Sequence, residues 1–176
     1  MLVKEQYGFR ISNSTEAASY NVINEILKAV NNRLSVGGIF CDLKKAFDCV
    51  KLDKLEFYGI SGKFLTLIQS YLRGRYQNIL IDKINACDSV SSRGKKVANG
   101  VPQGVIFSPL IFHIYTNDLP KITDNDAKVV LFADDTSIVV TNSHQGGLQT
   151  ALNGMLSDII SWFKANILLF NFNKTY

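Results

Sequence analysis

In the stretch VLFADDTSIVV, residues 130 to 140, two adjacent carboxylates, Asp134 and Asp135, stand between two apolar runs that both read as buried β-strands. Two-residue hairpin turns favour Asn-Gly, Asp-Gly or Gly-Gly, because their central positions call for positive φ, yet this turn holds no glycine. Two ionised carboxylates about 4 Å apart repel by roughly 4 kcal/mol at an effective dielectric near 20. A nearby cation would reverse that balance. A third carboxylate, Asp42, ends another apolar strand, GIFCD. If the two strands are neighbours in one sheet, all three acids converge, and oxygen donors without His or Cys among them suit Mg²⁺ or Mn²⁺ rather than zinc. Two such ions about 3.5 to 4 Å apart support in-line phosphoryl transfer. Each acid alone has a plainer reading, the pair as a polar turn and Asp42 as a cap.

The elements that would position these groups follow from periodicity. Asn13 and Glu16 have capping-box spacing, and Ala17, Val22, Ile23, Ile26, Leu27 and Val30 recur with helical period, which predicts an amphipathic helix over residues 14 to 32. VGGIFCD reads as a strand, LKKAFDCV as a turn or short helix, and GKFLTLIQSYLRGR as a second helix with Arg73 and Arg75 at its basic end. YQNILI and the segment before Asn99 read as the arms of a hairpin, with SSRGKK in a loop. Ser108 and Pro109 form a helix start, and the helix runs through LIFHIYTNDL to Pro120. The acidic hairpin follows, then a helix through Leu148, Leu152, Leu156, Ile159, Ile160 and Phe163, then a strand around ILLF. This order fits an α+β domain whose helices cover one face of an antiparallel sheet, leaving the other face to a ligand.

Composition narrows the classes. The 176 residues are 47% hydrophobic, which excludes disorder, and the net charge of +4 suits a polyanionic partner only if the basic residues gather on one face. Cys41, Cys49 and Cys87 form no CxxC pair and leave an odd thiol, pointing to a reducing compartment. No apolar run is long enough for a membrane span and MLVKEQYGFR has no apolar core of a secretion signal, so the chain reads as soluble and intracellular, nuclear or cytoplasmic.

In NGVPQG, residues 99 to 104, Gly100 and Gly104 flank Pro102, and Gln103 offers both a donor and an acceptor. The loop would let backbone approach a planar ligand; it equally reads as a tight turn before a helix. His113 and His144 have no partner at ligand spacing, Trp162 reads as a core anchor, and RGKK, residues 93 to 96, as a solvated loop or a phosphate contact.

Taken together, QYGFRISNSTEAA, FCDLKKAFDCV, NGVPQGVIFSPLIFHIYTNDLP, LFADDT and WFKANILLFNFNKT, in this order, resemble the palm motifs of reverse transcriptases of non-LTR retrotransposons, over residues 6 to 175. The resemblance implies a polymerase palm with a ferredoxin-like antiparallel sheet. It further implies RNA-directed DNA synthesis from deoxynucleoside triphosphates on an RNA template and DNA primer, with two Mg²⁺ ions, or Mn²⁺. Asp42, Asp134 and Asp135 would hold the metals, with the backbone carbonyl of Leu43 as a further ligand. Phe47 would lie under the sugar of the incoming nucleotide, or simply in the core. Gln103 and Gly104 would line the nucleotide and template site. Lys174 matches the lysine proposed to protonate the departing pyrophosphate, and Arg10 would touch template or nucleotide or make a structural ion pair. Residues 1 to 176 would then be a reverse transcriptase domain fragment, a residual fingers helix plus palm, missing the upstream fingers and the thumb. Val105 stands where the family usually has serine, and Phe107 is bulkier than the usual leucine. With those departures and the missing parts, the alternative is a catalytically silent palm remnant, at most a weak nucleic-acid-binding module.

Overall fold

The computed structural model describes residues 2–82, 89–97, 99–123 and 127–176. Its centre is a three-stranded antiparallel sheet of β1 (Ser35–Cys41), β7 (Ala127–Phe132) and β8 (Asp135–Asn142), in the order β1-β8-β7. β8 is the middle strand because it is flanked on both sides by apolar partners: Ile39 faces Ile138 across one ladder and Val129 faces Ile138 across the other. Ile39, Cys41, Val129, Leu131, Ile138 and Val140 turn to one face and join the core. That face is covered by α5 (Gln145–Ala165), which contributes Met155, Ile159 and Phe163, and by α4 (Phe107–Tyr115), which contributes Ile111, Phe112 and Tyr115. Gly37 lets α5 come close, since a Cβ there would lie 2.7 Å from the Leu152 side chain.

The α+β class is as expected, but the helices are not confined to one face. α1 (Thr15–Asn31) lies across the opposite face, where Val130 and Val139 are buried and need cover. Its seat is narrow. Only Ala18 and Ala29 of α1 are buried, while Ile23, Leu27 and Val30, part of the stripe that periodicity assigns to a core, are each more than half exposed. The cap differs too: Ser14, not Asn13, accepts the Ala17 N–H at 3.2 Å, because Ser14 is the last residue in extended conformation.

Other boundaries moved for local reasons. β2 (Leu43–Lys44) and a 3-10 turn, Ala46–Cys49, occupy the segment after Asp42, and α2 (Asp53–Phe57) follows. α3 (Gly62–Leu72) stops before Arg75, whose guanidinium caps it by donating to the carbonyl of Leu72 at 2.9 Å. β3 (Tyr76–Gln77) pairs with β6 (Lys95–Lys96), and β4 (Leu80–Asp82) with β5 (Ser89–Ser91), so part of SSRGKK is strand rather than loop, while Cys87 lies outside the described residues. α4 begins at Phe107, two residues ahead of Pro109, and ends at Tyr115; Pro120 sits in a 3-10 turn, Leu119–Ile122. Lys54 ties this turn to α5, with its ammonium on Asp118 at 2.8 Å and 4.7 Å above the Trp162 ring. β9 (Leu169–Phe170) closes the order by pairing with β2.

Ile138 is fully buried at the crossing of both ladders, whereas Phe57 on α2 is 84% exposed. Ile138→Ala is expected to cost about 2 to 5 kcal/mol and Phe57→Ala within about 0.5 kcal/mol, read by chemical denaturation. Equal losses would contradict this core assignment.

Candidate active site

The acids meet because of the ladder register. Cys41 pairs with Thr136, the last pair of the β1–β8 ladder, and Phe132 pairs with Asp135 at the start of the hairpin. Cys41 and Thr136 are buried on the α5 side, so the alternation of strand side chains turns their neighbours Asp42 and Asp135 to the opposite face at the same end of the sheet. The electrostatics agree with that placement. Asp135 holds its proton above the ordinary carboxyl value through partial desolvation, then through the charges of Asp134 and Asp42, with Lys174 pulling the other way.

Asp42 is the most restrained of the three. Its backbone carbonyl accepts the Asn171 N–H at 3.0 Å, and its carboxylate accepts the Asn171 side-chain amide. Lys174 reaches the same carboxylate at 4.0 Å from an exposed side chain. The chain end completes the arrangement, with Phe40 and Tyr176 exchanging two backbone hydrogen bonds of 2.8 and 3.0 Å. Since Asp42 and Asn171 form the hydrogen-bonded pair, ladder alternation turns the Leu43 carbonyl away from β9.

Asp134 and Asp135 border different cavities. Asp134 adjoins one of about 500 Å³ lined also by Phe9, Phe47, Gln103, Gly104 and Ser108, and Asp135 adjoins one of about 320 Å³ between α1 and the sheet, beside Phe40 and Phe132. Hard oxygen donors without His or Cys fit a divalent cation such as Mg²⁺, and the repelling acids would be relieved by one. Among the described residues, however, no three acidic, His or Cys side chains close into a finished metal cage. The acids are gathered at one sheet end, and the protein alone does not draw them into a coordination sphere.

Phe47, Gln103 and Gly104 come together with Asp134 around the larger cavity. Phe47 is half-buried and packs on Phe112 with ring centroids 4.9 Å apart, so it is both core and cavity wall. The glycines divide the work. Gly100 has φ +87° and presses on the chain's own backbone, where a Cβ would lie 2.5 Å from the Asp48 Cα; Gly104 has φ +79° and open space around it. Close approach at Gly100 therefore serves internal packing, fixed by Val101 donating to the Phe47 carbonyl at 2.8 Å. Arg10 is taken up by backbone rather than by a structural ion pair among the described residues, its guanidinium donating to the carbonyls of Val3 at 2.6 Å and Gln6 at 3.2 Å. His113, buried against Phe9, is pushed down to about 4 by desolvation and by Arg10, and stays neutral.

The sequence profile described as "Reverse transcriptase (RNA-dependent DNA polymerase)" matches residues 1–176, the whole chain. The chain belongs to this family. Among curated relatives, the RNA-directed DNA polymerase from mobile element jockey of Drosophila melanogaster is 25% identical over 90% of this chain and 18% of its own length. The probable RNA-directed DNA polymerase from transposon BS of the same organism is 26% identical over 99% of the chain and 20% of its own. The chain thus spans about a fifth of the length of the relatives it matches. In fold, it is similar to apo telomerase from Candida tropicalis, with TM-score 0.57 and 16% identity over 98% of this chain and 33% of that one. Telomerase from Candida albicans, solved with a fragment of telomeric RNA, gives TM-score 0.55 at 14% identity over 98% of this chain and 32% of that one.

Two contributors to this candidate site were not singled out from sequence. Asn171 carries the restraint on Asp42, and Gln6 lies against the acidic hairpin. Both sat inside motif-bearing segments, NFNKT and QYGFR, but the bonds they make join segments more than 100 residues apart, which local spacing does not reveal.

A carboxyl that binds its proton more tightly when folded contributes most to stability below its ordinary value, here 3.8, and loses that contribution as pH rises through its folded value. Asp135→Asn is therefore expected to raise the unfolding midpoint at neutral pH without divalent cations and to bring no gain at pH below 3.8. Thermal denaturation across a pH series checks this; a lowered midpoint at neutral pH would contradict the repulsion.

Proposed function

We propose that this chain forms the palm of an RNA-directed DNA polymerase, transferring a deoxynucleotide from its triphosphate to a primer 3′-hydroxyl under the direction of an RNA template. The observation that carries the reading is the meeting of Asp42 with the Asp134–Asp135 turn at one sheet end, beside a cavity walled by Phe47 and Gln103. Family membership and the names of the relatives support it.

In this reading Asp42, Asp134, Asp135 and the outward Leu43 carbonyl would hold two Mg²⁺ ions, or Mn²⁺. Such ions would lower the barrier by neutralising phosphate charge and stabilising the entering and leaving oxygens. The protein's own part is positional. The backbone of Asp42 is pinned to Asn171, so its carboxylate starts from a defined place. Phe47, held by Phe112, offers a rigid ring against the sugar, where a 2′-hydroxyl would collide. As the primer oxygen forms its bond to the α-phosphorus and loses its proton to water, the bond to pyrophosphate breaks. Lys174, exposed and near Asp42, gives a proton to that leaving group. Gln103, exposed at the cavity mouth, supplies a donor and an acceptor to nucleotide or template.

The open arrangement of the three acids favours a second reading, a palm that binds nucleic acid without catalysis. Primer extension on an RNA template with Mg²⁺ separates the two. Outer-shell partners of metal ligands are worth about 10- to 100-fold, so Asp134→Asn, at a direct ligand, is expected to cut template-dependent product by more than about 100-fold. No product from the parent chain, with nucleic-acid retention in filter binding that weakens with salt, would favour the silent module.

A further inference from the structure

The acidic hairpin holds one non-glycine residue in a costly backbone conformation. β7 and β8 are joined through Ala133 and Asp134, and Ala133 has φ +55°. A side chain in that region crowds its own backbone, which is why glycine is favoured there. The hairpin contains no glycine to take that conformation at no cost, so contacts from outside can offset it.

Gln6 does so. It is 3% exposed and bridges in parallel to Leu131, with the Tyr7 N–H on the Leu131 carbonyl at 2.8 Å and the Leu131 N–H on the Glu5 carbonyl at 2.8 Å. Its side-chain oxygen accepts from Ala133 N–H at 3.0 Å and from Gly8 N–H at 2.8 Å, and its side-chain amide donates to the Ala133 carbonyl at 3.2 Å. Two backbone donors can only meet an oxygen, which fixes the amide's orientation. Both polar backbone groups of the left-handed residue therefore end on one buried side chain. Gly8 closes the far side, because a Cβ there would stand 2.3 Å from the Ala133 nitrogen.

We infer that Gln6 is a positioning residue for the acidic pair: it holds Ala133 in its left-handed conformation, and so aims Asp134 toward the Phe47–Gln103 cavity while Asp135 stays on the side of Asp42. The significance of that aim rests on the palm reading above; the clamp itself does not. Glutamine at this place is chosen for reach and for having both polarities, and leucine would fill the space without either.

The test uses the full chain with Gln6→Leu, alone and combined with Ala133→Gly, followed by amide hydrogen exchange and Mn²⁺ titration. Gln6→Leu is expected to speed exchange at the Ala133 and Gly8 amides by about tenfold or more while Ile138 and Val139 in β8 keep their protection. Mn²⁺ affinity is expected to fall about 10- to 100-fold, the size typical of a lost outer-shell partner. Ala133→Gly should then restore most of that affinity, since glycine takes positive φ unaided. A single variant that unfolds while the double variant folds also supports the clamp. Unchanged Ala133 exchange, or loss of β8 protection in both variants alike, would overturn it and leave Gln6 as packing only. If the parent chain binds no Mn²⁺, the polymerase reading fails, and the exchange measurement still decides the clamp.

Discussion

The β1–β8 register is the constraint on which the rest depends. Side chains alternate across a strand, so a slip of one residue would send Asp42 to the α5 face and expose Cys41 in its place. The register is held where slipping costs most. Ile39 faces Ile138 and Gly37 faces Val140 across the ladder, and Gly37 is the position at which the Leu152 side chain of α5 leaves no room for a Cβ. The acidic end of the sheet is thus specified from its apolar middle. Packing that has no contact with the acids decides where they point.

The ends of the two acid-bearing strands are then restrained from outside the sheet, each by a different segment. Asp42 lies just past the last β1–β8 pair and is taken up by Asn171 and the chain end. The hairpin turn is taken up by the segment Glu5–Gly8. The hairpin restraint acts on backbone alone, while Asn171 holds both the backbone and one carboxylate oxygen of Asp42, which limits where these acids can be. Mutual repulsion would otherwise favour splaying, and Asp135 feels it directly from Asp134 and Asp42. Between these restraints the loop at Gly100 carries Gln103 to the same cavity by docking on the Phe47 and Asp48 backbone.

What was legible in the sequence divides along the range of the interactions. The three acids could be found because they sit at the ends of apolar strands, and strand ends on one sheet edge are natural meeting points. The family motifs added Phe47, Gln103 and Gly104, which the structure gathers around Asp134. Periodicity located α1 but misjudged its seat, because spacing reports which side chains share a face and not whether another element covers it; Ala18 and Ala29 make the contact, and Leu27 and Val30 do not. Helix starts were misplaced by following proline: Pro109 is tolerated in the first turn of α4 rather than marking its edge. Gln6 and Asn171 carried no local signal, since their partners are 127 and 129 residues away.

Charge presents a last difficulty that the fold answers in part. The chain has an excess of four positive charges, yet the place where phosphates would react is the one where Asp42, Asp134 and Asp135 gather. Other exposed cations include Lys95 and Lys96 on β6 and Arg73 at the end of α3. Such a layout would draw a polyanion toward the protein without cancelling the acids, and Lys174 is paired with Asp42. Among the described residues Lys174 is the cation paired with these acids, which leaves the sheet end rich in negative charge. Under the polymerase proposal that negative charge would be offset by a hard divalent ion, the kind of cation that oxygen donors with no nitrogen or sulfur among them favour.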